Sequence, residues 1–235
     1  MLWPMFQVDL IVVSRPGTTA WVNAIGMDRI DNCGSSCQWN PDTYTLNFER
    51  TITRISGNNL TLNIPMVQSL DSRFGGGTVQ RCRDRRITRA GVEHLIIKSS
   101  YDPTILSFHA DGSSYPSDEA HASTVVAFQA VVNGWALNIT CMHMSFACVN
   151  IGRAGKHVTV AHAKSLDPVS VITGAKRYAF NVDGQHNLVV DCTSDKSRHA
   201  FVTGRMSLGP NVFLRCSSTN DYSGIGPHHR PTDGP

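Results

Sequence analysis

A five-residue phrase is written four times between Leu137 and Cys216, and it limits the possible folds more than any other feature of the chain. The copies are Leu137-Asn138-Ile139-Thr140-Cys141, Val158-Thr159-Val160-Ala161-His162, Leu188-Val189-Val190-Asp191-Cys192 and Val212-Phe213-Leu214-Arg215-Cys216. Apolar residues hold the first and third positions, and Cys or His holds the fifth. Gly134, Gly155, Gly184 and Gly209 each stand a few residues upstream of a copy. The fifth positions are spaced 21, 30 and 24 residues apart. Self-similarity at a period of roughly 20–30 residues marks a stack of short supersecondary units.

A second phrase alternates with the first. Ala147-Cys148-Val149-Asn150-Ile151-Gly152, Tyr178-Ala179-Phe180-Asn181-Val182-Asp183 and His199-Ala200-Phe201-Val202-Thr203-Gly204 align without gaps. Each unit therefore holds at least two short strands, and strand alternation sends one parity inward. That parity is Val149/Ile151, Phe180/Val182 and Phe201/Thr203, which leaves Asn150, Asn181 and Val202 pointing outward. One unit cannot bury its own apolar face, but stacked units bury a continuous column. A leucine-rich frame is absent, and β-branched residues, Gly and Cys dominate. The expected fold is all-β: a right-handed parallel β-helix over 87–235, with a small antiparallel β appendage and the first edge of the solenoid over 1–86.

Within the appendage, Phe6–Val13 and Tyr44–Ile55 read as strands and Thr18–Met27 as a short helix with Thr18 as N-cap. Ser56-Gly57-Asn58-Asn59 reads as a hairpin turn returning through Leu60–Ile64. Two segments depart from the repeat, 101–121 and 166–176. Insertions of this kind fall on one flank of a solenoid and often carry its binding face. Neither end of the chain shows a cap, as expected of a fragment of a longer chain.

Composition narrows the class. Charged residues are 17% and the net charge is +3, too little by itself to imply a polyanion partner such as nucleic acid. No apolar run is long enough for a membrane span. No signal peptide is visible. The seven Cys cannot all pair within the chain. Cys33 and Cys37 flank a Gly-Ser-Ser loop, where a disulfide and two free thiols are both open. Cys141, Cys192 and Cys216 read as equivalent inward positions, so a ladder of buried free thiols is expected there rather than disulfides or a metal site.

These phrases resemble the pectin-lyase-like superfamily of right-handed parallel β-helices over roughly residues 87–220. Narrower similarity to uncharacterised secreted pectate-lyase-like proteins of bacteria and fungi rests on several segments. They are Trp21 with Gly26-Met27-Asp28-Arg29, Arg73-Phe74-Gly75-Gly76-Gly77, Asp118-Glu119-Ala120-His121, Ser165 to Ser170, Phe180 to Gly184, Arg198 to Gly204 and Pro227 to Arg230. The resemblance implies an extracellular, carbohydrate-active protein whose partner is a polysaccharide or oligosaccharide, with no nucleic acid and no membrane. Polygalacturonases are similar at Asn181-Val182-Asp183, but their Asp-Asp, Gly-His-Gly and Arg-x-Lys motifs have no counterpart here.

Lyase chemistry suits the residue types better. A uronate lyase neutralises a carboxylate, removes the adjacent C5 proton and protonates the leaving oxygen. Arg, or Ca²⁺ held by carboxylates, does the first, and His, Lys, Arg or Tyr the others. Arg177 and Arg198 align on adjacent units, as do Tyr178 and His199. The expected catalytic set is Arg177 and Arg198 on the substrate carboxylate, His199 for proton transfer, and Asp167 and Asp183 orienting these or binding a cation. Asn181, Glu119, His121, His228, His229 and Arg230 are expected to contact substrate. Asp118 and Glu119 are candidate Ca²⁺ ligands, with no other cofactor expected. Two alternatives stand beside this reading: a glycoside hydrolase using Asp/Glu pairs, and a non-catalytic glycan-binding or adhesion module.

Overall fold

The computed structural model describes residues 10–31 and 37–226. The chain divides into two compact units, one ending at Arg85 and the other beginning at Arg86.

The first unit is an antiparallel sheet. β1 (Leu10–Arg15) lies between β2 (Leu46–Ser56) and β4 (Thr78–Arg81), and β3 (Asn59–Leu62) pairs with the far edge of β2. Ser56 pairs with Asn59, so the predicted turn is closed by Gly57-Asn58. The part of the Phe6–Val13 strand before Leu10 lies outside the described residues. α1 (Thr19–Ala24) starts as expected at Thr18, whose hydroxyl accepts the Trp21 N–H. Trp21, Trp39 and Tyr44 then pack as one aromatic cluster, with the Trp39 and Tyr44 rings stacked at 3.9 Å.

The second unit is built from parallel strands. β5 (Ile87–Thr88) pairs with β10 (Val131–Val132). β6 (Gly91–Lys98) lies along the whole of β11 (Trp135–Met142). β11 then pairs with β13 (Thr159–Ala161) through its first half and with β14 (Lys164–Leu166) through its second. β16 (Leu188–Val190) and β17 (Thr193–Asp195) continue the two halves, followed by β19 (Val212–Leu214) and β20 (Ser217–Thr219). A four-stranded parallel sheet holds β9 (Thr124–Phe128), β12 (Ala147–Ile151), β15 (Tyr178–Val182) and β18 (His199–Thr203). β7 (Leu106–Phe108) and β8 (Ser114–Pro116) form an antiparallel hairpin inside the 101–121 insertion. All-β architecture with in-register parallel sheets is as the repeat requires. Successive passes of the chain through the two large sheets are called rungs below.

The second phrase has the predicted register: Val149, Phe180 and Phe201 share one column, and Tyr178 pairs with His199. Phe180 stacks on Phe201 at 5.2 Å, and Phe201 meets Phe213 of β19 edge-on, so this parity faces the core. The opposite parity stays out of this core, as expected, yet is covered as well. Asn181 and Val202 are buried, and Asn181 Nδ2 donates to Asn150 Oδ1 at 2.9 Å.

The first phrase is misaligned at two of its three steps. Leu137 pairs with Ala161 and Ala161 with Val190, which are steps of 24 and 29 residues; only the last step, Val190 to Leu214, matches the motif spacing. Ile139, Ala163, Cys192 and Cys216 therefore share a position, whereas Cys141 pairs with Ser165. The expected three-Cys ladder is wrong: Cys141 is disulfide-bonded to Cys148, seven residues on, and only Cys192 and Cys216 stack as free thiols. Cys33 lies outside the described residues.

The cause is a bend that apolar spacing does not reveal. His94, Asn138, His162, Asp191 and Arg215 all have φ between 51° and 55°, one per rung. A left-handed residue turns the chain between the half-strands and interrupts strict alternation. A second left-handed column ends the following half-strands: His143, Asp167, Lys196 and Asn220, with φ of 65°, 47°, 57° and 55°. The core between the sheets holds Ile139, Val149, Val160, Phe180, Val189 and Phe201.

Candidate functional site

The turns that carry the chain from the eight-stranded to the four-stranded sheet contain 143–146, 167–177 and 196–198. The turns that carry it back contain 152–158, 183–187 and 204–211. The chemistry-bearing side chains gather on the first set. There a pocket of about 320 Å³ is lined by Tyr101, Tyr115, Pro116, His143, Asp167, Pro168, Val169, Arg177, Lys196 and Tyr222.

Three of its polar residues come from one structural position. His143, Asp167 and Lys196 are successive members of the second left-handed column, since Met142 pairs with Leu166 and Ser165 with Ser194. Neighbouring rungs in a sheet are about 4.8 Å apart, so short side chains at this position reach one another. Lys196 Nζ and Asp167 Oδ1 close an ion pair at 2.6 Å, and the pairing raises the Lys196 pKa. The His143 ring faces Tyr101 edge-on at 5.0 Å, and its Nδ1 lies 3.2 Å from the Ser99 carbonyl.

The opposite wall comes from the hairpin. Asp118 closes its base by accepting the Asp102 and Ala120 N–H groups at 2.9 and 2.8 Å, and these bonds hold the Asp118 pKa below its ordinary value. Tyr115 on β8 is 8% exposed and turns toward Arg177. Arg177 is buried at 3% exposure, and burial lowers its pKa. Its Nε and Nη2 donate to Ser170 O at 3.0 and 2.6 Å, and Nη2 also donates to Pro116 O at 3.0 Å. The guanidinium lies 5.4 Å from the rings of both Tyr115 and Tyr222. It makes no ion pair with a carboxylate among the described residues. Tyr222 is positioned by its N–H bond to Ser197 O, and His109 stacks on its ring at 5.4 Å.

The structure separates the residues that the sequence grouped. Arg177 and Arg198 are neighbours in the backbone, with the Arg198 N–H donating to Arg177 O at 3.0 Å. Their side chains part: Arg198 Nη1 donates to Gly174 O and to the Tyr178 hydroxyl. His199 is buried, with its ring edge-on to Tyr178 at 5.5 Å and Nδ1 bonded to Gly224 O at 2.8 Å. Asp183 follows β15 as the first residue of the return turn. Six extended residues separate it from Arg177, roughly 20 Å along a strand. Its carboxylate occupies the space beside Gly204, where a Cβ would sit. Asn181 is held in the buried pair with Asn150.

Three candidates from the 101–121 insertion lie near the pocket with their polar atoms engaged. Glu119 accepts the Val171 N–H at 3.3 Å and pairs with Lys176 at 3.1 Å. His121 Nε2 faces the Asp118 and Val169 carbonyls, and its Nδ1 faces Ser99 Oγ at 3.1 Å. Asp118 and Glu119 thus serve different partners and do not converge on one cation, and no group of three metal-ligating residues occurs among the described residues. His228, His229 and Arg230 lie outside the described residues. Sequence reasoning missed Tyr101, Tyr115, His143, Lys196 and Tyr222. The available signal was the 24- and 29-residue spacing of His143, Asp167 and Lys196, which appears once the bend is known.

No family model, curated protein or solved structure matches this chain.

Proposed function

We propose that the second unit is a right-handed parallel β-helix of the pectin-lyase-like kind, and that the pocket binds an acidic, uronate-containing glycan and cleaves it by β-elimination. The observation that carries this reading is Arg177: a buried guanidinium beside the pocket, with no carboxylate counterion among the described residues. Lys196 and Asp167 neutralise each other, so Arg177 leaves the site with a positive balance that an anionic ligand offsets. Tyr101, Tyr115 and Tyr222 add the aromatic faces against which sugar rings pack. In-register parallel rungs support the β-helix. The Cys141–Cys148 disulfide supports an extracellular setting, because disulfides persist where the milieu is oxidising.

Elimination is favoured over hydrolysis by the acid count. Inverting hydrolysis needs two carboxyl groups about 6.5–9.5 Å apart across the bond, and retaining hydrolysis places them closer still. Asp167 is the only carboxylate lining the pocket among the described residues. The test is incubation with a panel of polyuronates, read by the ultraviolet absorbance of the unsaturated product and by new reducing ends. Unsaturated product supports elimination. Reducing ends without unsaturation point to hydrolysis, and binding without either points to a glycan-binding module.

A further inference from the structure

We infer that His143 is the base that removes the C5 proton, in place of the His199 that the sequence suggests; this rests on the acidic-glycan reading above. The ring's contacts fix its tautomer. A backbone carbonyl only accepts, so the contact of His143 Nδ1 with Ser99 O puts the neutral ring's proton on Nδ1. Nε2 then carries the lone pair, on a half-buried ring that lines the pocket. That nitrogen takes no hydrogen bond among the described residues. Of the other imidazoles near this flank, His109 stacks on Tyr115 and Tyr222 without lining the pocket, and the remaining two are committed. His121 has both nitrogens engaged, and His199 is buried with Nδ1 on Gly224 O.

The surroundings suit the step. Tyr101 holds the ring edge-on, and Asp167 and Lys196 stand one and two rungs away in the same column. Arg177 lines the same pocket, where it lowers the energy of charge building on the uronate carboxylate as the C5 proton leaves. The chemistry balances without a cofactor. His143 Nε2 takes the C5 proton, the C5–H electron pair becomes the C4–C5 double bond, and the C4–O bond breaks. The departing glycosidic oxygen takes a proton from water, and the imidazolium returns its own to solvent. Asp167 is one rung from the imidazolium that forms.

The position also provides a clean variant. His143 has φ 65°, and Asn220 holds the same column at φ 55°. His143→Asn therefore keeps a left-handed residue, and its amide N–H can replace Nδ1–H on Ser99 O while the base is lost. With the uronate substrate of the wild type, H143N is expected to lower kcat at least about a hundredfold with KM within a few-fold. It is also expected to remove the limb of the kcat–pH profile that belongs to the base. H143Q serves as a second variant, with near-UV circular dichroism as the check of folding for both. Wild-type kcat with an unchanged limb in either folded variant overturns the assignment to His143 and leaves the glycan reading intact. A wild-type protein that binds uronates but forms no unsaturated product overturns both.

Discussion

Lys196 and Asp167 occupy the same position in successive rungs and are joined at 2.6 Å. Both side chains are about half exposed, so the pair adds less than about 1 kcal/mol to stability. Lys196→Met should leave the unfolding midpoint almost unchanged. It should weaken uronate binding about tenfold or more, because Asp167 is then left in the pocket as an uncompensated negative charge that cancels Arg177. Calorimetric titration beside a urea melt separates the two effects.

Arg177 is expected to matter for stability as well as for binding. Its side chain ties the 167–177 turn to the end of the hairpin through Ser170 O and Pro116 O. Arg177→Met leaves these carbonyls without their donor and should destabilise the second unit by about 2–4 kcal/mol. Segment 102–118 should become sensitive to limited proteolysis before the rest of the unit. Equal resistance in variant and wild type would remove the clamp from the account.

Gly184 faces the return turn of the preceding rung. A Cβ there would meet the Gly155 carbonyl oxygen, a backbone atom that cannot move without shifting its rung. Gly184→Ala is expected to cost about 2–3 kcal/mol, by overpacking against the Gly155 and Gly152 carbonyl oxygens. The urea midpoint of the purified variant checks this.

The fold was easier to read from the sequence than the site was. Val149, Phe180 and Phe201 align at once because nothing interrupts their strand. The first phrase misleads because the bend falls at its second position at Asn138, its fifth at His162 and its fourth at Asp191, and this uneven slip moves Cys141 away from Cys192. A disulfide and a site column were both hidden by that register. The pocket depends further on a hairpin whose placement no periodicity encodes: Tyr115 and Tyr222 are 107 residues apart in sequence yet 6.3 Å apart between ring centroids. Arg177 and Arg198 were aligned correctly, but backbone register does not fix where a long side chain goes.

Cysteine chemistry tests the corrected register. Burial pushes the Cys192 thiol pKa up to about 12, whereas Cys82 is exposed. Iodoacetamide at neutral pH should label Cys82 rapidly and Cys192 only after unfolding. Replacing Cys141 and Cys148 together by Ser should cost about 2 kcal/mol, as expected for a short disulfide loop. Peptide mapping after labelling reads the first, and denaturant unfolding the second.

Asp118 gives the hairpin a pH dependence. Its folded pKa is depressed, so its contribution is present above its unfolded value and lost as pH falls through the folded one. Loosening of the hairpin base is therefore expected below about pH 4. Amide exchange at Asp102 and Ala120 should accelerate there ahead of exchange in β12 and β15. Asp118→Ala should show the faster exchange at neutral pH.

The central claim is that this pocket recognises a uronate carboxylate. The most direct measurement is a calorimetric titration with one oligouronate and with the same oligosaccharide after its carboxyl groups are reduced to alcohols. The account predicts saturable binding of the first, abolished by Lys196→Met with Tyr101→Ala, and little or none of the second. Equal affinity for both, or binding that survives the double substitution, would contradict it.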